Sequence, residues 1–145
     1  QEMMDRKNRY YNELIKQMTP NEVVEGGRAL LDEIRQAGIK TAIASASKNC
    51  RLVLGRLDIV HYFDGIADGY SVVNSKPAAD IFVFAAGLLN TPTPACLGVE
   101  DADAGIEAIK TAGMQALAIG PSDRFHRADK VLPTLVNKRL QDLLD

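Results

Sequence analysis

The stretch ACLGVEDADAGIEAIKTAGMQALAIG, Ala95–Gly120, decides the fold. An apolar run, ACLGV, stops at two acids, Glu100 and Asp101. A helical segment follows and ends at Gly113, where a residue without Cβ suits the left-handed turn that closes a helix. A second apolar run, MQALAIG, then begins. Two apolar strands joined through a helix form the unit from which parallel sheets are built, and runs this apolar suit a sheet covered on both faces.

The same alternation extends in both directions. IKTAIAS (39–45) reads as a strand, CRLVLGRL (50–57) as a helix, and FDGIAD (63–68) contains a short strand. PAADIFVFAAGLL (77–89) reads as a helix with Pro77 in its first turn. ADKVL (128–132) is a last short strand, and LVNKRLQDLL (135–144) a closing helix. Upstream, Leu30, Leu31 and Ile34 mark an amphipathic helix that stops at Gly38. Another, over Asp5–Gln17, carries Tyr11, Leu14, Ile15 and Met18 on one stripe. Thr19 and Pro20 suit a helix start and mark a boundary between two substructures. The expected class is α/β with a parallel sheet.

At 145 residues the chain is long enough for one domain with a real core. Its net charge of −2 leaves no basic footprint for nucleic acid. No apolar run reaches the length of a membrane span, and QEMMDRKNRYYNELIKQM is polar and amphipathic, unlike a secretory signal. Cys50 and Cys96 lie far apart with no metal or redox spacing, which points to a reduced, cytoplasmic setting. His61 and His126 are isolated and read as structural or surface residues.

In a parallel α/β sheet, ligands bind beyond the carboxyl ends of the strands. Three polar clusters fall there. TAIA runs into Ser45-Ala46-Ser47-Lys48-Asn49, a donor-rich turn entering a helix. It suits an anion with several oxygens, most simply phosphate, and equally a plain helix cap. Lys76 precedes Pro77 at the next helix start, where a cation opposes the helix dipole unless it serves an anion; an ordinary surface lysine is the other reading. Glu100 and Asp101 repel each other, which a hard cation such as Mg2+ relieves; acids are also favoured at a helix start. Together the clusters form a kit for Mg2+-assisted phosphoryl transfer. No G-x-G-x-x-G follows a strand, which argues against a nucleotide-binding Rossmann domain.

The motifs ASASKN, SKPAADIF and GVEDADAGIEAIKTAG, with RKNRYY and IADG in step, resemble the haloacid dehalogenase superfamily of phosphotransferases and phosphatases. Within it, SASKN is similar to the β-phosphoglucomutase family. The resemblance implies a three-layer α/β/α Rossmannoid core over residues 20–145, with residues 1–19 as the last part of a helical cap. It implies that Ser45 and the Ala46 N–H hold the transferring phosphoryl group and that Lys76 neutralises it together with the attacking carboxylate. Asp101 would ligate Mg2+ with Glu100 beside it. Ser47, Lys48 and Asn49 would grip the second phosphate of a sugar bisphosphate. The implied activity interconverts β-glucose 1-phosphate and glucose 6-phosphate through a phospho-aspartyl enzyme, in a cytoplasmic protein that is a monomer when intact. A sugar-phosphate phosphatase of the same superfamily is the alternative; a non-catalytic phosphate- or Mg2+-binding domain is a third reading.

Some parts of the family pattern are not matched. Ala79 stands where relatives carry proline, and VEGG replaces the usual P-G before the second helix. The D-x-D strand that supplies nucleophile and general acid/base has no counterpart near Gln1; the DAD of Asp101–Asp103 belongs to the acidic cluster. The expectation is that this strand precedes the present sequence and lies between the strands carrying Ser45 and Glu100. The 145-residue chain alone is then expected to lack mutase activity.

Overall fold

The structure, a computed structural model, describes residues 26–145. The expected cap helix and the Thr19–Pro20 boundary lie outside the described residues. In chain order the elements are α1 (Gly27–Gln36), β1 (Ala42–Ala44), α2 (Cys50–Arg56), β2 (Gly65–Ala67), α3 (Asp80–Leu88), β3 (Leu97–Glu100), α4 (Asp103–Thr111), β4 (Gln115–Ile119), β5 (Lys130–Leu132) and α5 (Leu140–Leu144). Single 3-10 turns at Val60–Tyr62 and Thr93–Ala95 precede β2 and β3.

All strand pairs are parallel. β1 lies beside β2 with Ile43 opposite Ile66, while β4 sits between β3 and β5 with Val99 opposite Leu117 and Ala118 opposite Val131. β1 and β3 do not pair with each other, so two sheets stand where the alternation alone suggests one. The core is nevertheless continuous beneath them. Ala42 and Ala44 of β1 and Ala116 and Ala118 of β4 pack with Ile81, Phe82 and Ala85 of α3 and Ile106 and Ile109 of α4. The alternate residues face the other way. Leu117 meets Leu30, Leu132 and Leu143, and Ile43 and Ile66 meet Cys50, Leu54 and Tyr62. Period-two alternation thus sends small residues to one helical layer and larger ones to the other, giving α/β/α. Burying side chains such as Ile81, Ile109 and Leu117 contributes about 1.5–3 kcal/mol each.

Four helices end in the same way. After α1 and α4, Gly38 and Gly113 take φ of 74° and 85°. The next N–H reaches back to close the last turn, Ile39 to Ile34 O and Met114 to Ile109 O. Asp58 and Asn90 play the same part after α2 and α3, with φ of 56° and 53°. These stops turn the chain abruptly into the following segment.

Two expected helices are shorter. α3 begins at Asp80 because Ser75–Ala78 forms a turn, closed by Ala78 N–H donating to Ser75 O at 3.0 Å. The Lys76–Pro77 peptide bond in it is cis. α5 begins at Leu140 because Asn137 has φ of 60°, outside the helical region. The Asp142 carboxylate then accepts from Arg139 N–H at 2.8 Å and fixes the start.

Candidate phosphate- and metal-binding site

The site is built at the carboxyl ends of β1 and β3. Past β1, Ser45 N–H extends the ladder to Ala67 O at 2.9 Å. Two hydroxyl turns follow: Ser45 Oγ accepts from Ser47 N–H at 3.2 Å, and Ser47 Oγ accepts from Asn49 N–H at 3.1 Å. Serine's short side chain makes this possible, and the result is a tight loop rather than an immediate helix. Ala46 is exposed, and its N–H makes no hydrogen bond among the described residues.

A second loop braces the first. Asp68, only 6% exposed, accepts from Tyr70 N–H at 2.9 Å through Oδ1, and its Oδ2 lies 3.4 Å from Arg51 Nε. Gly69 N–H donates to Ser47 O at 3.2 Å, and a Cβ on Gly69 would stand 2.5 Å from Ala46 O. Only glycine permits this approach.

Lys76 links the two sheets. Its ammonium donates to Glu100 Oε2 at 2.6 Å and to Ala44 O at 3.3 Å, and lies 5.1 Å from the Phe82 ring centroid. The side chains are 19% exposed for Lys76 and 13% for Glu100. Because α3 starts only at Asp80, the ammonium is set by this carboxylate rather than by a helix terminus. Glu100 also accepts from Asp101 N–H at 3.0 Å through Oε1, and its carboxylate lies over Gly105, where a Cβ would overlap it.

A small cleft of about 80 Å³ opens between the loops, lined by Ala46, Gly69, Val72, Val73, Ser75, Lys76 and Ile81. The structure therefore brings Ser45, Ala46, Ser47, Lys76 and Glu100 into one connected cluster, with Asp101 next in the chain and Lys48 and Asn49 on the same loop. Val72 and Val73 escape the sequence reading, and Gly69 and Gly105, though within the IADG and GVEDADAGIEAIKTAG motifs, are given no part in it. A glycine or valine carries no chemical signature, and only the packing of one loop on another reveals its part.

Among the described residues, no three histidines, cysteines or acids cluster at metal-binding distance. Asp101 is exposed and its carboxylate has no partner there, whereas Glu100 is engaged by Lys76. An unengaged carboxylate beside a second one fits Mg2+, which takes one or two carboxylates and fills its sphere with water and phosphate oxygens. Cys50 is a core thiol whose pKa is raised by burial, against an opposing hydrogen bond with Ser45. Buried as it is, it packs as a small core hydrophobe. His61 and His126 are both exposed. Among the described residues no helix is long and apolar enough to cross a membrane.

Comparison with known proteins agrees with this architecture. The profile of the haloacid dehalogenase-like hydrolase family matches residues 2–113. The chain is 41% identical to a β-phosphoglucomutase of Bacillus subtilis over 91% of its own length and 58% of that protein's. It is 37% identical to a fructose-1-phosphate phosphatase of Escherichia coli over 57% of this chain and 40% of that one. A crystal structure of β-phosphoglucomutase from Clostridium difficile superposes with a TM-score of 0.94 at 36% identity, covering 99% of this chain and 64% of that one. The chain thus spans about three fifths of the length of these two mutases. With its parallel strands, two helical layers and acids at the end of β3, it belongs to the haloacid dehalogenase-like hydrolase family.

Proposed function

We propose that the protein is a Mg2+-dependent phosphotransferase acting on sugar phosphates, with β-phosphoglucomutase activity between β-glucose 1-phosphate and glucose 6-phosphate. The observation that carries this is the placement of Lys76, which pairs with Glu100 and lines the same cleft as Ala46. In this reading Ser45 Oγ and the Ala46 N–H hold the transferring phosphoryl group, and the Lys76 ammonium neutralises it and the carboxylate that attacks it. Ser47, Lys48 and Asn49 grip the second phosphate of a sugar bisphosphate. Mg2+, held by Asp101 with Glu100 beside it, would offset the negative charge of the phosphoryl oxygens. Residues 20–145 are the catalytic core and 1–19 the end of a cap in this reading. The two free cysteines accord with a cytoplasmic setting.

The test is to incubate the full-length protein with β-glucose 1-phosphate, a sugar-bisphosphate primer and Mg2+. Formation of glucose 6-phosphate that ceases on chelation of Mg2+ is the expected result. Similarity to a fructose-1-phosphate phosphatase supports a second reading, a sugar-phosphate phosphatase of the same family. Release of inorganic phosphate without isomerisation would select it. Phosphate binding without turnover of either kind would select a non-catalytic binding domain.

A further inference from the structure

Tyr70 is 74% exposed, yet its ring is not idle: the Lys48 ammonium lies 5.4 Å from its centroid. We propose that Tyr70 is a positioning residue, whose ring holds Lys48 ready to receive the second phosphate of a sugar bisphosphate. This rests on the proposed function of the site.

The backbone under Tyr70 is fixed by groups that have little freedom of their own. The Asp68 carboxylate is buried, accepts from Tyr70 N–H at 2.9 Å and from the Ser71 hydroxyl at 3.3 Å, and faces Arg51. Gly69 is bound to Ser47 O, and a Cβ there would stand 2.8 Å from Lys48 Cγ, so the lysine stem runs directly over the glycine. The ring and the ammonium therefore come from two loops locked to each other. Among the described residues Lys48 has no carboxylate partner. That absence matters chemically. A carboxylate would also hold the ammonium, but it would share the positive charge with the phosphate, as Glu100 does at Lys76. An aromatic face attracts the cation through its quadrupole and leaves the positive charge in place. An ammonium has three N–H donors, so contact with one ring leaves others for phosphate oxygens. Holding a long side chain before binding lowers the ordering cost of the complex.

Cation–π attraction at an exposed site corresponds to about a two- to fivefold change in affinity. The full-length protein carrying Tyr70→Leu should bind glucose 1,6-bisphosphate about two- to fivefold more weakly. KM for the bisphosphate should rise accordingly, with kcat less affected. Tyr70→Phe, which keeps the ring, should restore the affinity. In a Lys48→Met background, Tyr70→Leu should add nothing. The Lys48 ε-methylene protons should show an upfield ring-current shift by NMR that Tyr70→Leu abolishes and Tyr70→Phe retains. Equal affinity of the Leu variant and the unsubstituted protein would overturn the proposal, as would a loss of the same size with Lys48 already removed. Failure of the unsubstituted protein to bind the bisphosphate at all would instead overturn the functional reading on which it rests.

Discussion

The ammonium of Lys76 and the carboxylate of Glu100, twenty-four residues apart in sequence, meet at 2.6 Å in a largely buried pair. Removing one partner leaves the other charge desolvated with too few hydrogen bonds, which costs more than the pair itself is worth. Lys76→Met should therefore lower unfolding free energy by about 1.5–3 kcal/mol, read as a shift of the urea midpoint. Adding Glu100→Gln should recover part of that loss, since neither side then carries an unpaired charge. A double variant no more stable than Lys76→Met would show that the pair is not coupled in solution.

Gly105 gives a prediction that opposes helix propensity. Alanine in place of a glycine within a helix ordinarily stabilises by up to about 1 kcal/mol. In α4, however, the new Cβ would overlap the Glu100 carboxylate, which must then leave Lys76. Gly105→Ala should destabilise the protein and, under the function proposed above, reduce phosphoryl transfer by about 10- to 100-fold. Gly55→Ala in α2, where a Cβ meets nothing within 4 Å, is the comparison. It should stabilise by up to about 1 kcal/mol and leave activity intact. Equal thermal shifts in the two variants would refute the role given to Glu100.

Much of this architecture is legible in residue order because its cause is local. Apolar runs such as the one ending at Val99 read as strands between helices, and β3 ends at Glu100, the first of two adjacent acids. Gly38 and Gly113 announce helix ends through their backbone freedom. Asp58 and Asn90 do the same work less visibly, since most Asp and Asn residues never take positive φ. Lys76 is conspicuous in sequence, but its partner is not: the side chain is set by Glu100 on another strand, and no spacing rule links them. The bracing of Ser47 by Gly69, and of Lys48 by Tyr70, is likewise a contact between loops that only folding creates.

Tyr62 ties the 3-10 turn before β2 to α1. Its hydroxyl donates to Asp32 Oδ1 at 2.6 Å, and that bond, with burial, raises the phenol pKa. A raised folded-state value means that the contribution is fully present below the unfolded tyrosine value, about 10, and is lost as pH rises through the folded one. Tyr62→Phe should lower stability by about 1.5 kcal/mol at pH 7. The gap between the two proteins should close in urea titrations carried out above the folded-state value. A gap that stays constant into strong alkali would mean that the phenol, once ionised, keeps the interaction by other means.

Asp129 should produce the opposite pH dependence. Its Oδ2 accepts from Lys110 Nζ at 2.8 Å and from Ala116 N–H at 2.7 Å, bracing the start of β4 against the end of α4. The Lys110 hydrogen bond, followed by that of Ala116, holds the carboxyl below its ordinary range. Here the folded value is depressed, so the stabilisation is present above the unfolded aspartate value, about 3.9, and disappears as pH falls through the folded one. The side chain is 46% exposed, so water screens much of the charge attraction. Asp129→Asn should accordingly cost only about 1 kcal/mol at pH 7. Urea midpoints of the two proteins should converge as the solution is acidified below the carboxylate range. Because the amide oxygen of asparagine can still accept from Ala116 N–H, a small residual difference in acid is compatible with this assignment. A difference that grows on acidification is not, since protonating the carboxyl can only weaken what Lys110 holds.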